Sequence, residues 1–449
     1  MTKISLKQIG RRQFLKTSLS GLAVATLPRI SFARSNPEVI VIGAGSSGLS
    51  ATAELINKGK SVVCIEAMNR IGGRCYTNNS IFGVPYDLGA HWLHGFSNNQ
   101  IAKYGKKSKD KFNVYKDPDR SLIYDGKKRS DGYELWRLYS KIKKIRNNIS
   151  LDAPLLDFIP DKLQNNEWFD TVQKIISTRD FDNLSPYDDN ENWDDSGYGD
   201  GFVKEGYGAL LAHYRKDVPV KLETIAKEIK WDAKGVKVET NQGTISAKAC
   251  IVTVSTGVLN SGKIKFTPAL PKKKYEAFDG ISMSNYYRIT LQLKESFYKK
   301  FRIEPDMYLY TKVNSKKSKS PRSANGVLRV HKSNISFFNV KGQFGKDLEA
   351  EGSKASVDFI LSDLRATFGS KFDKYLMKYH VTGWGKNPFT IGAYSGAKPG
   401  KARLRRVLGE SVGGRIFFAG EATAFAWATV HGADRSGKRV VTELLHNVL

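Results

Sequence analysis

Gly43-Ala44-Gly45-Ser46-Ser47-Gly48 follows directly on Val39-Ile40-Val41-Ile42, and Glu66 lies 18 residues beyond Gly48. A glycine turn with G-x-G-x-x-G spacing suits one chemistry above others, the cradling of a dinucleotide pyrophosphate by backbone N–H groups. Gly43 permits the tight turn, Gly45 lets the backbone approach the phosphates, and Gly48 lets the next helix pack on the strand, with Ser47 in its first turn. A carboxylate at the Glu66 spacing accepts hydrogen bonds from the adenosine ribose hydroxyls. Shortly after it, Arg74 offers a charge-assisted fork for phosphate oxygens.

Other reactive types are sparse. Cys64, Cys75 and Cys250 have no paired spacing, so neither a zinc site nor a disulfide framework is expected. His91 and His94 are three residues apart, but no third ligand accompanies them, and no metal is expected. No Ser-His-Asp arrangement or nucleophile elbow is evident. Asp188, Asp189, Glu191, Asp194, Asp195 and Asp200 form an acidic island in a basic chain, either a receiver for a cationic tail or a solvated loop.

The elements that must position these residues are readable locally. Val39–Ile42 is the continuous β-branched run of a strand buried on both faces. Leu49 to Lys58 is an amphipathic helix closed by Gly59, and Ser61 to Ile65 is a second strand ending at Glu66. Further on, Arg288 to Leu293 alternates with strand period, while Tyr133 to Ile145 and Lys354 to Phe368 read as helices.

Immediately after Glu66, Arg70-Ile71-Gly72-Gly73-Arg74-Cys75-Tyr76-Thr77 resembles the R-x-G-G-R-x-x-T signature of the flavin amine oxidase superfamily. Asp87 to Gly95, which contains Gly89, Ala90, His91 and Trp92, is similar to the segment beside the isoalloxazine in polyamine oxidases. Arg415 to Thr423, with Gly420 and Glu421, resembles the second flavin segment, and Thr429-Val430-His431-Gly432-Ala433 resembles the opening of the last helix. Weaker echoes lie at Glu205 to Gly208, Thr253 to Leu259 and Trp384 to Phe389, in family order.

The resemblance implies FAD as cofactor, and an α/β fold with a Rossmann-type FAD-binding domain discontinuous in sequence and an α+β substrate domain, a mixed sheet flanked by helices. The implied FAD-binding parts are 37–100, 200–270 and 400–449, with substrate parts 101–199 and 271–399. The last helix is expected to turn its N-terminal amides, at Thr429 and Val430, to the flavin's pyrimidine edge. Tyr394 matches the aromatic residue beside the flavin. Thr429 stands where monoamine oxidases use a second tyrosine, and Trp427 is expected to take that place from nearby. Ala393 stands at the position of the flavin-linked cysteine, so the FAD is expected to be noncovalent. Arg288 occupies the position of the family's water-bridged lysine, where it keeps a cationic donor but cannot deprotonate. His94 is expected at the substrate entrance.

The implied reaction takes a hydride equivalent from the carbon next to nitrogen, leaving an imine that water hydrolyses. Polyamines lead among small-molecule amine substrates, with dioxygen or a protein electron acceptor reoxidising the flavin. An L-amino-acid oxidase, with Arg288 a candidate for the carboxylate, and an amine dehydrogenase stay open, as does a flavin-bearing binding protein with vestigial catalysis.

The chain carries a formal charge of +28, with no nucleic-acid motif beside its lysine clusters, so no nucleic-acid partner is expected. No apolar run reaches the roughly 18 residues of a spanning helix. Residues 1–33 combine Lys3, Lys7, Arg11, Arg12, Lys16 and Arg29 with an apolar stretch from Leu19 to Leu27 and a small-residue end. Arg11-Arg12 followed by Gln13-Phe14-Leu15-Lys16 resembles a twin-arginine signal. The twin-arginine machinery exports folded proteins, which suits an enzyme that closes around a large cofactor first, so a periplasmic or secreted location is expected. An export signal and the lack of chromatin modules argue against a nucleosome-directed demethylase.

Overall fold

The structure, a computed structural model, describes residues 36–192, 199–312 and 322–449. The signal-like residues 1–33 and the acids Asp194 and Asp195 lie outside the described residues.

Val39–Ile42 forms the centre of a five-stranded parallel sheet. Its neighbours are Val62–Ile65 on one side, followed by Val220–Lys221, and Ala249–Val252 on the other, followed by Ile416–Phe418. The β-branched run has a simple cause. Ile40 and Ile42 enter one core with Cys250, Ile416 and Phe418, while Val39 and Val41 enter another with Leu49, Leu55 and Val440. Both faces are dry, so neither tolerates polar alternation. The first face is covered by the antiparallel hairpin strands Ala226–Trp231 and Val236–Thr240. The second is covered by the helices Ser46–Asn57 and Val430–Asn447.

A seven-stranded mixed sheet stands apart. Its order is Leu376–Val381, Tyr286–Leu293, Ile335–Lys341, Ala324–Leu328, Met307–Thr311, Arg120–Asp125, Lys128–Ser130, with one parallel pairing between Met307–Thr311 and Arg120–Asp125. Strand period divides its residues. Tyr287, Ile289 and Leu291 pack against Val357, Ile360 and Leu364 of the Ser353–Phe368 helix, while Tyr286 and Arg288 face the opposite way, into a cavity. The helices expected near 133–145 and 354–368 span Tyr133–Asn147 and Ser353–Phe368, and the strand expected from Arg288 begins two residues earlier. Among the described residues no helix is long and apolar enough to cross a membrane.

Candidate functional site

One cavity of about 1540 Å³ joins the two sheets. Four parallel strands open onto it at their carboxyl ends, through Gly43, Glu66, Thr253 and Gly420, the location where open α/β sheets bind ligands. Its floor is the outward face of the mixed sheet, with Tyr286, Arg288, Asn339, Lys341, Asn325, Tyr308, Tyr310 and Ser121 contributed by five strands.

At the nucleotide end Gly43 turns with a φ of 102°, a conformation that favours glycine. A Cβ on Gly48 would sit 1.8 Å from the Gly43 carbonyl oxygen, so helix and strand approach too closely for any side chain, and Gly48 packs the turn without lining the cavity. A Cβ on Gly45 would meet nothing within 4 Å. Its bareness leaves space beside the backbone rather than relieving a clash. Gly45 caps the Ser46–Asn57 helix with no side chain, and Ser46 and Ser47 line the cavity at that helix's N-terminus. Ser47 also contacts the Ser436 hydroxyl at 3.1 Å, tying the two helices together.

Glu66 is buried, and its oxygens accept N–H bonds from Ala44 at 2.7 Å and Met68 at 2.9 Å. Burial pushes its carboxyl above the usual range, partly offset by those donors and by Arg70. Further hydroxyl donors would favour the ionised form. Helix amides without a side-chain cap, bare backbone and a buried carboxylate whose oxygens keep acceptor sites beyond their N–H partners together fit the adenosine and pyrophosphate of FAD.

Around the expected flavin position the side chains are more entangled than sequence suggests. Arg74 lines the cavity, but its Nη1 donates to the Ala393 carbonyl at 2.7 Å and to Glu421 Oε1 at 3.0 Å. Glu421 also accepts from the Ser395 N–H, the Ser395 hydroxyl and the Ala428 N–H. Burial is the largest influence on Glu421 and pushes its carboxyl up, but Arg74, Ser395, Arg405 and Ala428 together outweigh it and hold the group below its ordinary value. Arg74 is thus first a strut across the cavity, not simply a phosphate fork. Ala393 presents a methyl group, which offers no atom for a covalent flavin link. Thr429 accepts from the Gly432 N–H and caps the last helix, placing Val430 and Ala433 on the cavity wall at that helix's N-terminus.

Gly89, Ala90, His91 and Trp92 all line the cavity. His91 is buried and bonded through Nδ1 to Asp87 at 3.1 Å. Asp87, His91 and His331 bring three potential ligand atoms within 4.8 Å of one another, a grouping that the His91/His94 pair did not foreshadow. Asp87 is already engaged by the Tyr207 N–H and the Thr77 hydroxyl, and burial pushes His331 down to about 3. His94 lies elsewhere on the wall, bonded to Asp200 at 2.9 Å.

Arg288 lines the floor of the cavity. Its Nη1 donates to the Asp87 carbonyl at 2.6 Å and its Nε to Asn339 at 3.1 Å, with the guanidinium 4.1 Å from the Phe337 ring. These bonds fix its plane, so it is not a free fork for a substrate carboxylate. Tyr394 lines the cavity 5.9 Å from the ring of Tyr286, making an aromatic pair. Trp427 is not part of the wall. It lies under the Arg405 guanidinium at 4.8 Å, so the second aromatic partner of Tyr394 is Tyr286, two residues before Arg288 on one strand. Asp188 likewise leaves the substrate region, buried in an ion pair with Arg405. Of the acidic island, Asp200 remains on the cavity, joined by Asp117 and Asp119. Sequence reasoning missed Asp117, Tyr308, Tyr310 and Lys341. For Tyr308, Tyr310 and Lys341 the available signal was strand alternation in 307–311 and 335–341.

A parallel nucleotide sheet facing an antiparallel-rich floor across one cavity defines a dinucleotide-dependent oxidoreductase of small molecules. The chain belongs to the flavin-containing amine oxidoreductase family, whose model matches residues 187–445, while an NAD(P)-binding Rossmann-like model matches residues 41–106. It is an FAD-dependent enzyme acting on amine donors. Similar curated proteins include polyamine oxidase 4 of Oryza sativa subsp. japonica, 28% identical over 97% of this chain and 93% of that one. A probable polyamine oxidase 4 of Arabidopsis thaliana is 29% identical over 89% and 85%. Among solved structures, cyclohexylamine oxidase from Brevibacterium oxydans superposes with a TM-score of 0.72 at 19% identity, covering 92% of this chain and 99% of that one. Putrescine oxidase bound to putrescine superposes at 0.70 and 19% identity, covering 91% and 99%.

Proposed function

We propose that this chain oxidises a C–N bond of a small di- or polyamine, with dioxygen as electron acceptor and hydrogen peroxide as product. Bound noncovalently, FAD supplies the two-electron oxidising equivalent that turns the amine into an imine. The residues that would hold it are Gly43, Gly45, Ser47, Glu66, Arg74, Gly420, Glu421 and Val430.

The observation that carries the substrate class is the combination of the Tyr286/Tyr394 pair with Asp117, Asp119 and Asp200 at the Arg120–Asp125 edge of the same cavity. The aromatic pair holds an amine by shape and by its π faces. The three carboxylates are neighbours, since the Asp117 N–H donates to the Asp200 carbonyl and the Asp117 carboxylate accepts from the Asp119 N–H. They give a second, distal ammonium a local countercharge within a chain whose overall charge repels polycations. The polyamine oxidase names of the similar proteins support the same class.

Export is part of the reading. The Arg11-Arg12 signal implies folding and FAD loading before translocation by the twin-arginine machinery to the periplasm or beyond. Anaerobic titration of the flavin-loaded protein with putrescine, spermidine, spermine, a monoamine and an L-amino acid tests the chemistry. Bleaching of the yellow chromophore by the polyamines supports the assignment, and bleaching by none of the panel would sink it. Substituting both Arg11 and Arg12 by lysine should strand the flavoprotein in the cytoplasm, and unchanged export would discard the twin-arginine route.

A further inference from the structure

A flavin oxidises an amine only when its nitrogen has a free lone pair, yet an alkylamine reaches a neutral-pH enzyme as its ammonium ion. Arg288, on the floor, cannot take that proton. The carboxylates of Asp117, Asp119 and Asp200 belong to the Arg120–Asp125 edge of the cavity, and Glu421 is saturated with donors.

On the strand next to Arg288, Lys341 pairs in register with Tyr286 and lines the same cavity. Its side chain is buried, and Nζ lies 5.2 Å from the Tyr286 ring, whose other neighbour is Tyr394. Nζ donates to the Lys174 carbonyl at 2.6 Å. Among the described residues no carboxylate pairs with it. The nearby acids face elsewhere: Asp180 pairs with Lys174 and accepts the Gln343 N–H, Asp170 and Asp182 act on Lys174, and Glu349 accepts N–H bonds from Gly385 and Lys386. Arg288, Tyr286, Tyr310 and Tyr394 line the same cavity, and the ammonium of Lys174 is the charge that acts on Lys341. A buried amine without a counterion, facing a substrate cavity beside the aromatic pair, is placed for proton exchange.

We propose that Lys341 is the base that takes the proton from the substrate ammonium on the Tyr286/Tyr394 wall, a step that rests on the amine-oxidase reading above. An N–H bond of the substrate breaks, an Nζ–H bond forms, and no electrons change hands. The lysine then returns the proton to cavity water. Burial, and then the charge of Lys174, push Lys341 down to about 7, so the neutral amine is available at working pH. The same desolvation acts on the substrate ammonium, so the transfer is between two amines in one environment.

The test is the pH dependence of anaerobic flavin bleaching by a saturating polyamine, measured in single turnovers. The wild-type rate should fall about tenfold per unit below an ionisation near 7. Lys341→Met, an apolar near-isostere, and Lys341→Arg, a permanent cation, should both lose that ionisation and bleach about a hundredfold more slowly above it. Retained yellow chromophore reports that each variant still folds and binds FAD. A wild-type profile without an ionisation near 7, or one that persists in either variant, overturns the role, and the wild-type measurement decides even if the variants fail to fold. Bleaching by no amine instead fails the underlying reading, which is a different signature from bleaching that ignores pH.

Discussion

The two walls of the cavity are built on opposite principles. The nucleotide wall uses backbone: glycines where chains cross, helix N-termini, and the ends of strands contiguous in one sheet. The floor uses single side chains, one or two from each of five strands, drawn from positions 121 to 341. Backbone sites are specified by short motifs and tolerate little change, whereas side-chain sites can be re-equipped one residue at a time without disturbing the sheet beneath. Substitution should therefore fail catastrophically on one wall and selectively on the other.

Gly48 sets the largest contrast. Gly48→Ala places a methyl carbon 1.8 Å from the Gly43 carbonyl, so the turn must open, and we expect loss of soluble, flavin-bound protein. Gly45→Ala meets no protein atom within 4 Å. We expect an intact fold whose FAD affinity drops at least tenfold, read by flavin titration against thermal unfolding of the apoprotein. Normal FAD affinity in Gly45→Ala would remove the argument that the pyrophosphate lies against this backbone.

Next comes the joint between the walls. Arg405 donates to both Asp188 oxygens, to the Ala422 carbonyl and to the Ser395 hydroxyl, while Asp188 also accepts the Ala397 N–H. Asp188→Ala leaves a buried guanidinium without its counterion and should cost about 3–5 kcal/mol of stability, seen as a lowered Tm. A loss below about 1 kcal/mol would mean that the pair is solvated in solution.

Glu66→Gln should be milder, weakening FAD binding about ten- to hundredfold by removing a charged acceptor, worth about 1.5–3 kcal/mol. The pH dependence has a definite sign. Burial holds the free Glu66 carboxyl protonated to higher pH than an unfolded glutamate, and ribose hydroxyls bind the ionised form. FAD affinity should therefore fall as pH drops through that raised value, and Glu66→Gln should abolish the dependence. A flat wild-type profile would argue that the ribose does not bond here.

This division also explains what was legible from sequence. The fingerprint from Val39 to Glu66 is contiguous, and its tightest contact, Gly48 against the Gly43 carbonyl, lies within the motif, so it is readable without knowing that Gly43 also packs against the distant Thr253. Tyr394, Arg288 and Val430 were found by family resemblance, and each reaches the cavity. Trp427 was misplaced because one residue of offset before the last helix, where Ala428 adopts φ 60°, is enough to turn a ring from the cavity to Arg405. Asp188 looked like surface acid because its partner is 217 residues away. Lys341 looked like one of many lysines, since only the register with Tyr286 reveals which face it occupies.

The smallest effect expected is at the rim of the floor. Asp117 accepts the Tyr308 hydroxyl, which in turn accepts the Trp92 indole N–H at 2.7 Å, so a hydrogen-bonded line runs from the Arg288 neighbourhood to this carboxylate. Burial raises the Asp117 carboxyl, with Asp200 and Asp119 adding like-charge repulsion. A cation arriving there relieves that repulsion, but the three acids are partly solvent-exposed and their attraction is screened. Asp117→Asn should therefore raise the KM for a diamine only about two- to fivefold, in line with roughly 0.2–1 kcal/mol for exposed ion pairs. The KM for a monoamine of equal length should not move, because it carries no second charge. Added salt should shrink the wild-type preference for the diamine more than the variant's, which retains only Asp119 and Asp200. Equal changes for both substrates would assign Asp117 to holding Tyr308 and Trp92 in place, returning the floor's specificity to the aromatic pair alone.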